Sequence, residues 1–182
     1  MTSQSLCVAI IGAGAAGRSF AAACSAAGHR VVLEDVMPAK LRRAEEVFAS
    51  LGHRVELVLT VEDAVRNADI AVDFVPDELE SKLEIFSLLD RMAPPRTILC
   101  TPSDGLSITD LASCTYRAER CVMLRGLPPG AHRFLVPAAA TESTTSLVGG
   151  FLHSLGSSAE AELDPDLPML MKNMGLAGTT LR

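Results

Sequence analysis

The chain has no cluster of lysine and arginine long enough to follow a phosphate backbone, and its 16 Lys and Arg against 22 Asp and Glu leave a net charge of -6. No nucleic-acid partner is expected from that balance. There is no apolar run of membrane-spanning length either. Residues 6–11 are apolar but run straight into glycines, so no membrane partner is expected. The opening MTSQS lacks a basic region followed by a long apolar stretch and a cleavage site, and no secretory leader is expected from it. Cys7, Cys24, Cys100, Cys114 and Cys121 form no CxxC pair and no Cys/His spacing of a metal site, so no metal is expected. An odd number of cysteines set mostly in apolar segments reads as reduced core thiols in a cytoplasmic protein. The sequence also lacks internal repeats and low-complexity tracts. What remains is a chain of 48% hydrophobic and 21% charged residues, the make-up of a soluble domain large enough to bury a core.

Short β-rich runs alternate with longer helical ones. Strands are predicted at 6–11, 30–33, 55–59, 70–75, 97–100 and 121–124. Helices are predicted at 18–27, stopped by Gly28, and at 38–51, with Pro38 in the first turn. Others follow near 61–67, at 79–92 with Leu83, Phe86, Leu89 and Met92 at helical spacing, and at 107–113 under a Ser107 cap. Pro94-Pro95 breaks the helix at 79–92. Repeated strand–helix–strand units imply an α/β fold, a Rossmann-type doubly wound and mainly parallel sheet with helices on both faces. The rest is less regular, with a strand at 134–136, a helix at 145–155 ended by Gly156, and an edge strand at 157–163.

Gly12-Ala13-Gly14-Ala15-Ala16-Gly17 fits GxGxxG, and it stands where the motif has a mechanism, after a strand and at the opening of a helix. Gly12 permits the tight turn, Gly14 lets the backbone approach a diphosphate, and Gly17 lets helix and strand pack closely. The helix start, with Ala15 and Ala16, offers free N–H groups and partial positive charge to the phosphates. Asp35 follows a little over twenty residues beyond Gly12, where a carboxylate accepts from the adenosine ribose hydroxyls and repels a 2′-phosphate. Glu34 adds to that repulsion, while Arg42 and Arg43 lie further along the next helix and are expected to face solvent. The cofactor expected is NAD. Residues 1–163 are assigned to one NAD-binding Rossmann domain, and 164–182, a proline-bearing turn and an apolar Met-rich segment, to a short C-terminal helical tail.

The blocks VAIIGAGAAGRSFAAACSAAGHRVVLEDV, ADIAVDFVPDELESKLEIFSLLD and TILCTPSDGLSITDLA together resemble the NAD-binding domain of 3-hydroxyacyl-CoA dehydrogenases over most of residues 6–125. The resemblance implies an NAD-linked oxidoreductase acting on a hydroxyl/carbonyl pair. It also implies that Asp77 and Lys82 lie near the ribose and nicotinamide side of the cofactor. From the residues alone the same two read as a helix N-terminal acid and a solvated lysine, and both readings stay open.

Four departures separate the chain from that family. The family's SNTSS loop is Thr101-Pro102-Ser103-Asp104-Gly105 here, so its substrate-hydroxyl contacts carry over to Ser103 alone. The HFFNP block with the catalytic histidine corresponds to Arg125-Gly126-Leu127-Pro128-Pro129, and arginine cannot serve as a general base near neutral pH. The glutamate that orients the histidine has no counterpart in His132-Arg133-Phe134-Leu135-Val136-Pro137. His132 is then either the relocated proton-transfer group or a surface-loop histidine. Between Asp35 and Asp69 a short helix and strand replace the long arm that contacts CoA. Finally, Asp166-Leu167-Pro168-Met169-Leu170-Met171-Lys172-Asn173 resembles the family's junction motif D-x-P-G-F-I-x-N, with Asn173 at the substrate-side asparagine, and the family's helical domain does not follow.

Two functions are therefore expected in order. The first is an NAD-dependent dehydrogenase or reductase whose Ser103 or Asp104, Arg125 and His132 line the crevice, Arg125 anchoring an anionic group on a small acid or carrier-bound acyl substrate. The second is a catalytically degenerate NAD-binding regulatory or interaction protein. In either case Met169, Met171 and Met174 would leave apolar side chains exposed on a monomer, and a homodimer through the tail is expected.

Overall fold

The computed structural model describes residues 5–165, and for residues 131 and 132 the backbone alone. The chain runs β1 (Cys7–Ile11), α1 (Ala15–Ala26), β2 (Arg30–Glu34), α2 (Pro38–Leu51), β3 (Val55–Val58), α3 (Val61–Val65), β4 (Ile70–Asp73) and α4 (Leu79–Met92). It continues through β5 (Ile98–Pro102), α5 (Ile108–Ala112), a 3-10 turn at Ala118–Arg120, β6 (Cys121–Arg125), β7 (Gly130–Val136), α6 (Glu142–Ser154) and β8 (Ser157–Leu163). All eight strands form one sheet in the order β3-β2-β1-β4-β5-β6-β7-β8. β1 to β6 are parallel; β7 meets β6 antiparallel and β8 lies parallel to β7. The fold is the doubly wound α/β architecture that the sequence predicts.

Strand alternation builds two cores. On β1, Val8 and Ile10 face α1, α2 and α6, where Phe20, Phe48 and Phe151 fill the layer. Ala9 and Ile11 face α3, α4 and α5, against Val65, Phe86 and Leu111. Strands buried on both faces read as continuous apolar runs, which is why β1, β4 and β6 are visible in the sequence. The three helices on each face leave the C-terminal ends of the parallel strands open. The order of the strands reverses between β1 and β4, and there a crevice forms.

Three element starts differ from expectation by three residues or more. α1 starts at Ala15 rather than 18, because Gly14 is an extended N-cap and the alanines after it turn directly into helix. β7 begins at Gly130 rather than 134 and pairs along all seven residues with β8. α6 begins at Glu142, since the Thr141 hydroxyl accepts from the Thr144 amide at 3.3 Å and caps the helix. The tail at 166–182, including Asn173 and the methionines, lies outside the described residues. No described helix is long and apolar enough to cross a membrane.

Candidate functional site

The glycine turn separates the roles of its three glycines by geometry. Gly12 has φ +105°, and a Cβ there would meet the Phe74 carbonyl oxygen at 3.3 Å. A Cβ on Gly17 would stand 2.0 Å from the Gly12 carbonyl oxygen, so the helix is pressed against the turn. Gly14 faces open space, with nothing within 4 Å of such a Cβ. Gly14, Ala15 and Ala16 are exposed, and α1 has neither a side-chain cap nor an acid in its first turn. Its leading amides and partial positive charge therefore point outward at the crevice.

Asp35 follows β2 and is nearly buried, at 4% exposure. Its Oδ2 accepts from the Ala13 amide at 2.9 Å and from Lys40 Nζ at 3.1 Å, and its Oδ1 from the Met37 amide at 2.9 Å. Burial alone would raise this carboxyl. The Met37 and Ala13 amides and the Lys40 ammonium outweigh it and hold the pKa below the ordinary value. The carboxylate thus braces the glycine turn from behind while its edge borders a cavity of about 430 Å³ over the ends of β1 and β2. Val36, Val61, Pro76, Ile85 and Leu88 give that cavity apolar walls. Such a slot suits a planar base beside a ribose gripped by a carboxylate. The bare cradle at Gly14, the outward amides of α1 and the ionised Asp35 fit a dinucleotide.

Lys82 is not a solvated lysine. It is 1% exposed, and its Nζ donates to Asp73 Oδ1 at 2.7 Å across the end of β4. Burial raises the Asp73 carboxyl, and the Lys82 ammonium opposes that rise. Asp77 is exposed near the α4 end of the β4–α4 connection, and its Oδ2 accepts a long bond, 3.4 Å, from the Asp104 amide. Ser103 is buried after β5; its Oγ accepts from the Leu106 amide at 3.1 Å, which leaves its hydroxyl proton available. Arg125, at the end of β6, donates to the Ser103 carbonyl and, at 2.8 Å, to the Leu106 carbonyl. Its guanidinium braces the loop that carries Ser103. His132 stands in strand β7 rather than in a loop, opposite Ala159, one residue beyond the Arg125–Arg133 rung toward the crevice end.

The sequence reading missed three groups. Lys40 was passed over for Arg42 and Arg43, which are exposed, although Pro38 at the helix start already placed Lys40 on the first turn beside Asp35. Asp73 was absorbed into a strand pattern. Glu34 was counted only as charge, yet it is 3% exposed, lines the cavity, and has an Oε1 without a hydrogen-bond partner. Among the described residues no group of three or more His, Cys, Asp or Glu is placed to hold a metal. The cysteines are unpaired, and burial pushes the Cys24, Cys100 and Cys121 thiols up.

Fold and site together define a dinucleotide-binding Rossmann domain. Residues 45–146 match the family described as 3-hydroxyacyl-CoA dehydrogenase, NAD binding domain, and residues 7–82 match NADP oxidoreductase, coenzyme F420-dependent. The chain belongs to the 3-hydroxyacyl-CoA dehydrogenase NAD-binding domain family, and its cofactor is NAD. It is 28% identical over 174 residues to a probable 3-hydroxybutyryl-CoA dehydrogenase of Bacillus subtilis, covering 84% of this chain and 60% of that one. It is 31% identical over 130 residues to the 5-formyl-3-hydroxy-2-methylpyridine 4-carboxylate 5-dehydrogenase of Mesorhizobium japonicum, covering 63% and 42%. The crystal structure of a 3-hydroxyacyl-CoA dehydrogenase from Archaeoglobus fulgidus superposes with TM-score 0.77 at 26% identity, covering 94% of this chain and 61% of that one. The chain thus spans less than two thirds of each of these relatives.

Proposed function

We propose that this protein is an NAD-dependent oxidoreductase acting on the hydroxyl/carbonyl pair of a small acid or a carrier-bound acyl group. The observation that carries the reading is the outward-facing glycine turn braced by Asp35, with Ser103 at a neighbouring strand end of the same crevice. The bound nicotinamide ring supplies hydride donation and acceptance. Ser103 directs its free hydroxyl proton to the substrate oxygen. Arg125, held by two carbonyls, positions that serine and does not itself carry a proton. His132 is assigned the proton transfer, which its backbone position at the crevice end of β7 supports. The short stretch between Asp35 and Asp69 in place of an arm speaks against free CoA, and the Mesorhizobium relative is named for a small pyridine carboxylate. The Met-rich tail is proposed to pack against a second copy of the chain, which sedimentation velocity tests.

A panel of 2- and 3-keto acids, free and as carrier thioesters, followed at the NADH absorbance band, tests the activity. Turnover with at least one member is expected, and His132→Ala should lower it by about a hundredfold or more while NADH still binds. Tight NADH binding without turnover on any member would favour the second reading, an NAD-binding regulatory protein. The commitment of Arg125 to backbone carbonyls is the observation on that side.

A further inference from the structure

The last rung of the sheet carries two acids on one face. Ile11 pairs with Glu34 on one side and with Asp73 on the other, and all three turn toward α3 and α4. Asp73 has a buried lysine of its own, whereas Glu34 has none among the described residues. The nearest cation, Lys40, is bonded to Asp35. Glu34 is nevertheless 97% removed from solvent by its 3% exposure, with Oε1 unpartnered and the side chain lining the cavity assigned above to the adenosine half of the cofactor. A buried carboxyl oxygen without a partner carries a desolvation penalty that a ligand group with hydrogen-bonding atoms would relieve.

We propose that Glu34 is a specificity-determining residue of the cofactor site, which meets adenosine as a neutral carboxylic acid and makes NAD binding take up a proton. The inference rests on the cofactor assignment. A neutral carboxyl offers one donor and one acceptor, the complement of an adenine edge, which presents an amine beside a ring nitrogen. The proton comes from solvent and goes to the Glu34 carboxylate; no other bond changes. Three effects push the same way. Filling the apolar slot removes the remaining water from Glu34, the incoming diphosphate adds negative charge, and the Lys40 ammonium is bonded to Asp35 and not to Glu34. The groups around it are Asp35 on its own strand end, Lys40 from α2 and Glu84 from α4, while β1, β4 and α3 contribute Gly12, Val75 and Val61 to the cavity without charge. In the free protein burial, with the Asp35 carboxylate beside it and the Lys40 ammonium opposing, raises Glu34 to about 7, so the transition falls within the physiological range.

Calorimetry of NAD binding in two buffers of different ionisation enthalpy reads the proton directly. Near neutral pH we expect an uptake of roughly half a proton, and an affinity that falls by about tenfold from about pH 6.5 to about pH 8.5. Glu34→Gln, a neutral isostere, should bind NAD with no uptake and a flat pH profile, and Glu160→Gln, on the far edge strand β8, should behave as the unsubstituted protein. The unsubstituted protein should also bind NAD more tightly than its hypoxanthine analogue, a preference that Glu34→Leu should reduce. Saturable NAD binding with no proton uptake, or an unchanged uptake in Glu34→Gln, overturns the inference and leaves the cofactor assignment standing. No binding heat at any pH, in protein whose circular dichroism shows it folded, overturns both.

Discussion

At the scale of single residues, the glycine turn assigns opposite roles to residues of one type. Gly14 has room for a methyl group and no neighbour to lose, whereas Gly17 has a carbonyl oxygen where its Cβ would be. Gly14→Ala should therefore leave the melting temperature close to its starting value while weakening NAD binding by about tenfold, because the methyl group occupies the approach of the diphosphate. Gly17→Ala should do the reverse first, lowering the melting temperature sharply as α1 is forced off the sheet. Thermal denaturation with and without NAD separates the two. Equal loss of stability in both variants would contradict the division of roles. This part of the site was legible in the sequence because it depends on backbone freedom at fixed spacing, which GxGxxG records directly. Lys40 and the Asp73–Lys82 pair were not legible, since their partners meet only after a strand, a turn and a helix have formed, and a charged residue on a helix pattern reads as solvated.

At the scale of elements, the turn between α4 and β5 hangs on one side chain. Arg117 is 8% exposed and donates to Asp90 Oδ1 at 2.8 Å and to the carbonyls of Asp90, Ala93 and Pro94 at 2.6, 3.2 and 2.6 Å. It satisfies the last carbonyls of α4 where Pro94-Pro95 ends the helix. Arg117→Ala leaves the buried Asp90 carboxylate with the Tyr116 amide but no countercharge and should cost about 3 kcal/mol in denaturant unfolding. A loss near zero would mean that solvent replaces the guanidinium freely. Element boundaries set by proline were the ones the sequence marked best, as at Pro38 and Pro94. β7 was half hidden because Gly130-Ala131-His132-Arg133 has no apolar alternation; pairing with β8 along the whole strand forms it. α6 was misplaced by a run of serine and threonine that reads as loop until Thr141 is seen as a cap and Thr144 is seen donating to the Glu119 carbonyl at 2.9 Å.

At the scale of the whole molecule, two helical layers on one sheet leave a single reversal of strand order, and the groups of the candidate site gather at that end. The glycine turn, Glu34, Asp35, the Asp73–Lys82 pair, Ser103 and Arg125 come from the ends or following loops of β1, β2, β4, β5 and β6. Their convergence follows from parallel strands, which place every strand's C-terminal end on one side. The proposed substrate side was less legible than the cofactor site for the same reason. Cofactor groups lie at the ends of β1 and β2 and are close in sequence, whereas the strand ends that carry Ser103, Arg125 and His132 are brought side by side only through the β5–β6–β7 pairing.

The most direct test of the account is a calorimetric titration of the folded protein with NADH and, separately, with NADPH. The account predicts saturable binding of NADH and at least about tenfold weaker binding of NADPH, whose 2′-phosphate would face the Asp35 carboxylate. Equal or tighter binding of NADPH, or the absence of saturable heat with NADH, would contradict it.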